Sequence, residues 1–591
     1  MYKLPLFFVF AATLVLSSCS GNKPKDVKQD KVERAGKGGR VYGGCFRFGM
    51  TEDYQTLYPV KITDAASARI ASQVYEGLVK FNTSDLSLIP GLAEKWDVNS
   101  DGTIYTFHLH KGVKFQDDAC FQGGKGRELK AEDVKYSLTR LCTQDPDNAA
   151  FDGILKDRLA GANDYYDASK NGVPTKEIEG IKVIDDYTIS LQLIQPNSSF
   201  LYCLASPGAY VIAKEAWDKY GVKMKIGTGP FKVAQEPKPG EKIILVRNDN
   251  YYGSDSLGNK LPFLDSIEVT FFETKANELA DFQNGKLHFI WGLPSESIKD
   301  MVESQISDFS KNPPKYILDR SPEMSTQYYT FNSTREPFNK VKVRQAFSYA
   351  LNREGIVENV LRGEAFGPGL NGICPPSFKG YDISQIQGYH FDPAKAKKLL
   401  AEAGYPGGKG FPVVKLKLNS GGQRNENVVI EVQKQMREVL GVNIDFDIVS
   451  YKQRLEDESN GNGDIFRSAW IADYPSPENF LWLFHGKNVP SDPHVSSFPN
   501  ASRYKNPAFD KLFEAGRAAK TQEEAYKNFM IAEKLMIADA PILVLWYDEN
   551  WRLIKSNVHN FYGNAMRYYD FAQVFLKEPE ATKAAAEEPK K

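Results

Sequence analysis

The sequence predicts an α/β protein, on the basis of two patterns and one absence. From Val41 onward, stretches with strand periodicity alternate with stretches of helical periodicity. No unit of roughly 20 to 50 residues repeats, which argues against a solenoid or a propeller. Hydrophobic residues make up 42% and charged residues 25% of the 591 residues. This is the mixture of a folded soluble protein, and neither a disordered chain nor a polytopic membrane protein fits it.

Individual elements follow from the same periodicities. Residues 103–110 alternate between apolar and polar side chains, which predicts a strand with Tyr105, Phe107 and Leu109 on its buried face. Apolar spacing of three and four residues predicts helices over residues 131–141, 393–403, 427–440 and 521–538. The apolar run at 541–547 predicts a buried strand after the last helix.

The N-terminus has the features of an export signal. Lys3 precedes an apolar run from Leu4 to Leu16, too short for a stable membrane span but suited to a signal peptide over residues 1–18. Leu16-Ser17-Ser18-Cys19 resembles the bacterial lipobox, which predicts lipidation of Cys19; an ordinary secretory signal is the alternative. Polar residues predict a flexible tether over 19–40 and a disordered tail over 578–591.

Charge and cysteine content narrow the function classes further. The 74 basic and 75 acidic residues give a net charge of −1, so no overall field favours nucleic acid. Beyond Cys19 five cysteines remain, an odd number, so at least one stays unpaired. Cys120 and Cys142 are candidates for a disulfide, with two buried thiols as the alternative. No cysteine or histidine cluster predicts a metal site, because His108 and His110 lack a third ligand.

Several short motifs stand in an order that is typical of one family. They are Pro90–Trp96, Tyr105–Phe115, Ala131–Ser137, Gly227–Phe231, Arg247–Tyr252, Val343–Phe347, Tyr389–Pro406 and Trp470–Pro477. Together they resemble the extracytoplasmic solute-binding proteins of peptide ABC importers, family 5, the dipeptide- and oligopeptide-binding group. The resemblance extends over nearly the whole chain after the signal peptide.

The resemblance implies a two-lobed periplasmic-binding-protein fold (type II, cluster C) with a hinge and an extra N-terminal subdomain. Lobe I is expected over residues 41–58, 179–317 and 548–577, the subdomain over 59–178, and lobe II over 318–547. The chain would cross between the lobes near Leu318 and Tyr547, and hinge closure would enclose the ligand.

The resemblance also implies the residues of the site. Asp473 would bind the ammonium of a peptide, beside an apolar wall formed by Trp470 and, more weakly, Tyr474. Arg424 is the candidate for the ligand carboxylate, because guanidinium offers two parallel donors. Thr51 and Glu52 would approach the peptide backbone. Without the resemblance, these residues read as a loop cap, core aromatic residues and a solvated loop arginine.

The predicted function is therefore a lipid-anchored receptor in the bacterial cell envelope, facing the periplasm or the extracellular side. It would act as a monomer without a cofactor, and would deliver peptides to the permease and ATPase subunits of an ABC importer. The main alternative is the same fold with a non-peptide solute: a nickel chelate, haem, an oligosaccharide or an opine. An adhesin or chaperone stays open. An enzyme is disfavoured, because the sequence has no catalytic signature.

Overall fold

We describe the protein from a computed structural model. It describes residues 34–234, 242–292, 308, 310–311, 313–362, 364–420, 423–492 and 495–578. The predicted signal peptide, the lipidation site Cys19 and residues 579–591 of the predicted tail lie outside the described residues.

One mixed sheet of 11 strands forms the centre of the described chain. From one edge to the other, its strands are Phe231–Val233, Ile243–Arg247, Ser266–Phe271, Cys45–Met50, Phe289–Trp291, Ile542–Lys555, Tyr316–Phe331, Ile465–Ile471, Val414–Asn419 and Ile444–Val449. The strand Ala365–Pro368 pairs with Ile542–Lys555 off this path. Sheet order thus places strands from the two ends of the chain beside strands from its middle.

Tyr316–Phe331 and Ile542–Lys555, here called the hinge strands, belong to two cores at once. Tyr316 and Leu553 pack with Leu279 and Phe282 in one hydrophobic cluster. At the other end, Tyr329, Phe331, Leu543 and Trp546 pack in a separate cluster with the helices of residues 341–350 and 423–440. The first cluster lies beside lobe I and the second is the interior of lobe II. Both hinge strands also contribute to the largest cluster, through Tyr328 and Ile554 among others, and so connect the two lobes.

The ladder between the hinge strands is irregular at the level where the lobes meet. Its register shifts between Pro322, which lies opposite Glu549, and Thr326, which lies opposite Tyr547. The predicted crossing at Tyr547 lies at this level, whereas Leu318 lies opposite Leu553, within the part that packs in lobe I. The two strands therefore change lobes together, at residues 322–326 and 547–549.

A second sheet of four strands builds the subdomain. Its order is Ala93–Val98, Ile104–Leu109, Thr188–Gln192 and Ile181–Asp185. Tyr105, Phe107 and Leu109 are all buried, which confirms the predicted face of their strand. The predicted boundary at residue 178 is wrong, because residues 181–192 pair with the subdomain strands rather than with lobe I. Three small pairs complete the described strands: Arg34–Ala35 with Val41–Tyr42, Val79–Phe81 with Leu88–Pro90, and Val558–His559 with Phe575–Leu576.

The predicted helices are confirmed with small changes at their ends. The longer helices are Ala65–Val74, Ala131–Leu141, Ala162–Ser169, Lys214–Tyr220, Lys275–Gln283, Val341–Ala350, Pro393–Glu402, Gln423–Leu440, Tyr451–Asn460, Pro507–Arg517 and Gln522–Asp539. Asp392 caps Pro393–Glu402 by accepting a hydrogen bond from the Lys395 amide at 2.9 Å. Three short helices, Phe151–Ile154, Phe200–Leu204 and Glu478–Leu481, lie where the subdomain meets lobe II.

The folded part of the chain begins closer to the N-terminus than the sequence predicts. Arg34–Ala35 pairs with Val41–Tyr42, and Arg40 Nε lies 3.0 Å from the buried carboxylate of Asp255. The predicted tether over 19–40 is therefore wrong for residues 34–40, which pack on the body. At the other end, Glu578 accepts a hydrogen bond from Asn557 at 3.0 Å, so it is not part of a disordered tail.

Arg353 connects the core of lobe II to the hinge strand Ile542–Lys555 by hydrogen bonds. Substitution of Arg353 tests this role. The side chain is 1% exposed, and its guanidinium donates to the carbonyls of Val544 at 2.5 Å, Ser348 at 2.9 Å and Tyr389 at 3.0 Å. Arg353→Leu leaves these buried acceptors without a donor, which we expect to lower the free energy of unfolding by about 3–5 kcal/mol. Urea denaturation measures this loss.

Arg335→Leu is the matched control. Arg335 is half exposed and makes one ion pair with Asp464 at 3.3 Å, so its loss should cost about 1 kcal/mol or less. Equal losses for the two variants would show that the buried carbonyls of lobe II do not depend on Arg353.

Candidate functional site

A cavity of about 400 Å³ opens where the hinge strands shift register. Both hinge strands, both lobes and the helix Gln423–Leu440 contribute to its wall. The lining residues are Gly292, Glu323, Ser325, Gln327, Glu364, Arg424, Asn425, Arg467, Ile471, Asp548, Glu549, Trp551 and Arg567. Charged side chains thus line most of a cavity that lies between two lobes, and their pairing decides what the cavity can bind.

Asp548 neutralises the predicted carboxylate binder, Arg424. Arg424 Nη2 donates to Asp548 Oδ1 at 2.8 Å, and Gln327 Nε2 and Ser325 Oγ donate to the other carboxylate oxygen at 2.6 and 2.7 Å. Burial alone would raise the pKa of Asp548, but Arg424 and the hydrogen-bond donors outweigh it and lower the pKa below its usual value. Arg424 therefore lies at the cavity as predicted, but its charge is already matched.

Arg467 is the guanidinium in this cavity that has no carboxylate beside it. It extends from the strand Ile465–Ile471, and its Nη2 donates to Gln327 Oε1 at 2.6 Å. Within the described chain, no carboxylate lies within ion-pair distance of it. Burial lowers its pKa, as expected for a cation that is partly removed from water. Arg467 was not among the residues predicted from the sequence, although it shares the two-residue period of Ile471 on the same strand.

Asp473 lies two residues beyond the end of that strand and has no cationic partner among the described residues. Its Oδ2 accepts one hydrogen bond, from Asn479 Nδ2 at 3.1 Å. The residue keeps a solvent-exposed surface, yet the surrounding protein desolvates the carboxylate and raises its pKa, which the bond from Asn479 offsets only in part. An exposed carboxylate that is desolvated and unpaired is suited to bind a cation from solution.

Asn479 holds Asp473 and Trp470 in place. Its Oδ1 accepts from the Asp473 amide at 3.0 Å and from Trp470 Nε1 at 2.8 Å, while its Nδ2 donates to the Asp473 carboxylate. Asn479 is buried in the short helix Glu478–Leu481. The preceding residue, Glu478, lies 2.9 Å from Arg517 and 3.9 Å from Arg158 of the subdomain. The sequence analysis missed Asn479, which is the residue that orients the predicted pair.

Among the residues predicted from the sequence, Arg424 is the one found in the described wall of the cavity; Asp473 and Trp470 are close in sequence to the lining residue Ile471 but are not part of the wall. Tyr474 is buried in the large core rather than open to the cavity, so its predicted contact with a ligand is not supported. Thr51 and Glu52 follow the strand Cys45–Met50, and neither lines the cavity. Cys120 and Cys142 are both free thiols, so the candidate disulfide is not formed.

The strand Ile465–Ile471 has an edge that is only partly paired. On one side all seven residues pair with the hinge strand Tyr316–Phe331. On the other side only Ile465 and Phe466 pair with Val414–Asn419, and the ladder ends before Arg467. Backbone groups of residues 468–471 that point away from the hinge strand thus have no strand partner, whereas the Arg467 carbonyl accepts a hydrogen bond from Arg454 Nη1 at 2.8 Å.

Comparisons with known proteins agree on one family. Residues 87–491 match the bacterial extracellular solute-binding proteins, family 5 Middle. The dipeptide-binding protein of Escherichia coli K12 is 28% identical over 515 residues, which cover 85% of this chain and 89% of that protein. Heme-binding protein A of Haemophilus influenzae is 28% identical over 579 residues, covering 95% and 97%.

One solved relative gives the fold at nearly full length. The ABC transporter-associated periplasmic binding protein DppA from Helicobacter pylori, in complex with the peptide STSA, is 25% identical. It superposes with a TM-score of 0.70 and covers 91% of this chain and 98% of its own. The two-lobed α/β fold predicted from the sequence is confirmed.

The raised pKa of Asp473 is directly testable. Carbon-detected NMR on a chain labelled at aspartate Cγ, assigned with Asp473→Asn, should show Asp473 titrating above the usual aspartate value of about 3.9. Asp185 is the internal control, because hydrogen bonds from Tyr187 and Thr188 lower its pKa. Asn479→Ala removes the bond that favours the charged form and should raise the pKa of Asp473 further. Titration of Asp473 at or below Asp185 would contradict the desolvated, unpaired carboxylate.

Proposed function

Because the chain belongs to family 5 of the bacterial extracellular solute-binding proteins, we propose that it captures short peptides in the cavity between its lobes. It delivers them to the permease and ATPase subunits of an ABC importer and performs no chemistry on them. The observation that carries the proposal is Asp473, an exposed, desolvated carboxylate without a cation, at one end of an unpaired strand edge.

Asp473 receives the peptide ammonium. A carboxylate in a partly desolvated cleft forms a strong charge-assisted hydrogen bond with an ammonium, whereas an uncharged N-acetyl group leaves the carboxylate without a partner. Asn479 accepts a hydrogen bond from the Asp473 amide and donates one to the Asp473 carboxylate, so the carboxylate is already oriented before the ligand binds. Asp473 thereby defines where the ammonium end of the ligand binds.

The backbone of the peptide pairs with residues 467–471. An extended peptide that joins an open strand edge gains main-chain hydrogen bonds that do not depend on its side chains. This mode suits a receptor for many sequences, since the common backbone supplies the affinity. The edge runs from Asp473 towards Arg467, so a peptide whose ammonium contacts Asp473 extends into the charged cavity.

Arg467 binds the carboxylate of a bound short peptide. It is the better candidate than Arg424, because Arg424 is already paired with Asp548 at 2.8 Å and Arg467 has only the neutral side chain of Gln327. A ligand carboxylate would therefore not have to displace an existing ion pair at Arg467. The ends of the ligand then contact opposite charges.

Peptides suit this cavity better than a large apolar solute such as haem. Relatives include both a dipeptide-binding protein and a protein named for haem. The cavity is lined by three arginines and four carboxylates, with Ile471 and Trp551 as its large apolar side chains. A ligand with charged ends and polar backbone groups matches such a wall better than a macrocycle does.

Attachment to the membrane by a lipid on Cys19 completes the proposed role. The sequence Leu16-Ser17-Ser18-Cys19 supports it. Within the described ranges, no helix is both long and apolar enough to cross a membrane. The receptor would work as a monomer held at the cell envelope, where its ligands arrive from outside.

Binding of a defined set of peptides tests the proposal. Isothermal titration of the purified chain with Ala-Ala-Ala should give binding, while N-acetyl-Ala-Ala-Ala should bind at least about 100-fold more weakly, the size expected for one broken buried charge pair. Asp473→Asn should lose affinity for the free peptide to a similar extent. Asp185→Asn, a remote and exposed change, is the control.

Two outcomes of this titration would count against the proposal. Equal affinity for free and acetylated peptides would contradict the ammonium site at Asp473. Absence of binding for peptides of two to five residues, together with a co-purified non-peptide solute in native mass spectrometry, would overturn the peptide assignment.

Affinity for free peptides should also depend on pH. Binding requires ionised Asp473, and because its pKa is raised, protonation begins at a higher pH than for an ordinary aspartate. Affinity should therefore fall on acidification before exposed carboxylates titrate, and the pH profile of Asp473→Asn should lack this step. A pH-independent affinity down to the usual aspartate range would contradict the role of Asp473.

A further inference from the structure

Three cationic side chains surround one tryptophan on the lobe I side of the cavity. Trp291 ends the strand Phe289–Trp291, directly before Gly292, which lines the cavity. The charged groups of Arg567, Lys275 and Arg69 lie 3.9, 4.5 and 5.1 Å from the centre of its ring. We call these four residues the Trp291 cluster. Such proximity of three cations to one ring concentrates positive charge.

Two of the three cations are paired with carboxylates. Lys275 Nζ lies 2.6 Å from Glu278 Oε2, and Arg567 forms an ion pair with Glu323. These two ion pairs neutralise two of the three positive charges in the cluster.

Arg69 has no such partner. Among the described residues its guanidinium makes neither an ion pair nor a hydrogen bond, although the side chain is only 8% exposed and its Nε is fully buried. Its contacts are the rings of Trp291 and, at 5.8 Å, Tyr569. The charges of Glu52 and Glu323 act on it from a greater distance. A buried guanidinium without an acceptor is costly, so a partner from outside the chain would be strongly favoured.

Other polar atoms around the cluster are also unsatisfied. Tyr569 Oη and Glu278 Oε1 are both buried without a hydrogen-bond partner. The Tyr569 hydroxyl is a donor that an anion beside Arg69 would satisfy, whereas Glu278 Oε1 requires a donor such as water or a ligand amide. The positions of these groups point to a polar ligand group rather than to an apolar one.

The cluster is continuous with the cavity. Arg567, Glu323 and Gly292 belong to both the cavity wall and the surroundings of Trp291. A Cβ atom on Gly292 would lie 3.8 Å from Lys275 Cε, so the lysine stem packs directly behind this part of the wall. A ligand group in the cavity therefore contacts Arg567 on the lobe I side, and the other three residues of the Trp291 cluster lie behind this wall. Arg467 and Asp473 belong to lobe II.

We propose that the Trp291 cluster is a second anion subsite, in which Arg69 binds a carboxylate on a side chain of the captured peptide. The inference rests on the proposed function and deepens it, since it defines the preferred ligands as peptides with a glutamate or aspartate residue. The terminal carboxylate is met by Arg467 on lobe II, so a carboxylate that reaches lobe I is a separate group of the ligand. Arg69 belongs to the helix Ala65–Val74, within the range expected for the subdomain, but its guanidinium contacts Trp291 of lobe I. An ion pair at Arg69 would therefore hold the ligand against the lobe I side of the cleft and favour closure of the lobes.

A comparison of peptides that carry glutamate with peptides that carry its neutral isostere, glutamine, at the same position tests this subsite. Isothermal titration of the purified chain would compare Ala-Ala-Ala with tripeptides that carry one Glu or one Gln at each position, each with a free or an amidated C-terminus. We expect one position at which Glu is preferred over Gln by about tenfold or more, as one charge-assisted hydrogen bond provides. Because amidation removes only the terminal carboxylate, the preference should survive in the amidated series.

Variants assign the preference to Arg69. Arg69→Gln should abolish the preference for Glu while the affinity for Ala-Ala-Ala changes less than about threefold, and Arg69→Lys should keep part of it because the charge is retained. Arg140→Gln is the control: Arg140 also stacks on a tryptophan, Trp217 at 3.9 Å, but lies in the subdomain. The Arg140→Gln variant should keep the preference for Glu over Gln. Melting temperatures of all variants report whether they fold.

The outcomes separate this inference from the proposed function. If Ala-Ala-Ala binds but Glu and Gln are equivalent at every position, the subsite is overturned and the peptide receptor stands. A preference that disappears on amidation would assign the anion to the peptide terminus, and one that persists in a folded Arg69→Gln would assign it elsewhere; both overturn the role of Arg69. If no peptide binds, the proposed function fails and the subsite with it.

Discussion

The two hinge strands are the constraint on which the rest of the structure depends. Tyr316–Phe331 and Ile542–Lys555 pair along most of their length, and each contributes side chains to the core of both lobes. Both lobes use side chains of these strands in their cores, so the strands connect the lobes, and a cavity lies beside the irregular part of the ladder. Ser325, Gln327, Asp548 and Glu549 line that cavity because the strands expose them at the level of the register shift.

Charge pairing distinguishes structural groups in the cleft from groups that remain open to a ligand. Arg424 with Asp548 and Arg567 with Glu323 are matched within the chain. Within the described part of the chain, Asp473 and Arg467 on lobe II, and Arg69 beside Trp291 of lobe I, are not. A ligand that joins the two lobes would supply the missing partners, and closure would be favoured only for ligands that carry them. Selectivity then arises from the cost of leaving a desolvated charge unmatched.

Local features of the sequence predicted the fold well, and nonlocal pairing accounts for the errors. The strand at residues 103–110 and the helices were predictable, because apolar spacing within one element determines the face it buries. Residues 181–192 were assigned to the wrong unit because their partners lie about 80 residues earlier in the chain. Asp473 and Trp470 belong to one compact motif, so their proposed roles could be inferred from the sequence. Arg467 was missed, since preferring it to Arg424 requires knowing that Asp548, 124 residues away from Arg424, neutralises the latter. The Trp291 cluster joins residues 69, 275, 291 and 567 and has no local signal at all.

The central claim is that Asp473 and the open edge of residues 467–471 define the position and direction of the ligand. A crystal structure of the chain with bound Ala-Ala-Ala tests it most directly. We expect the peptide ammonium within hydrogen-bond distance of the Asp473 carboxylate and the peptide backbone paired along residues 467–471, with the peptide carboxylate directed at Arg467. A peptide bound in the reverse direction, or away from this strand edge, would contradict the account.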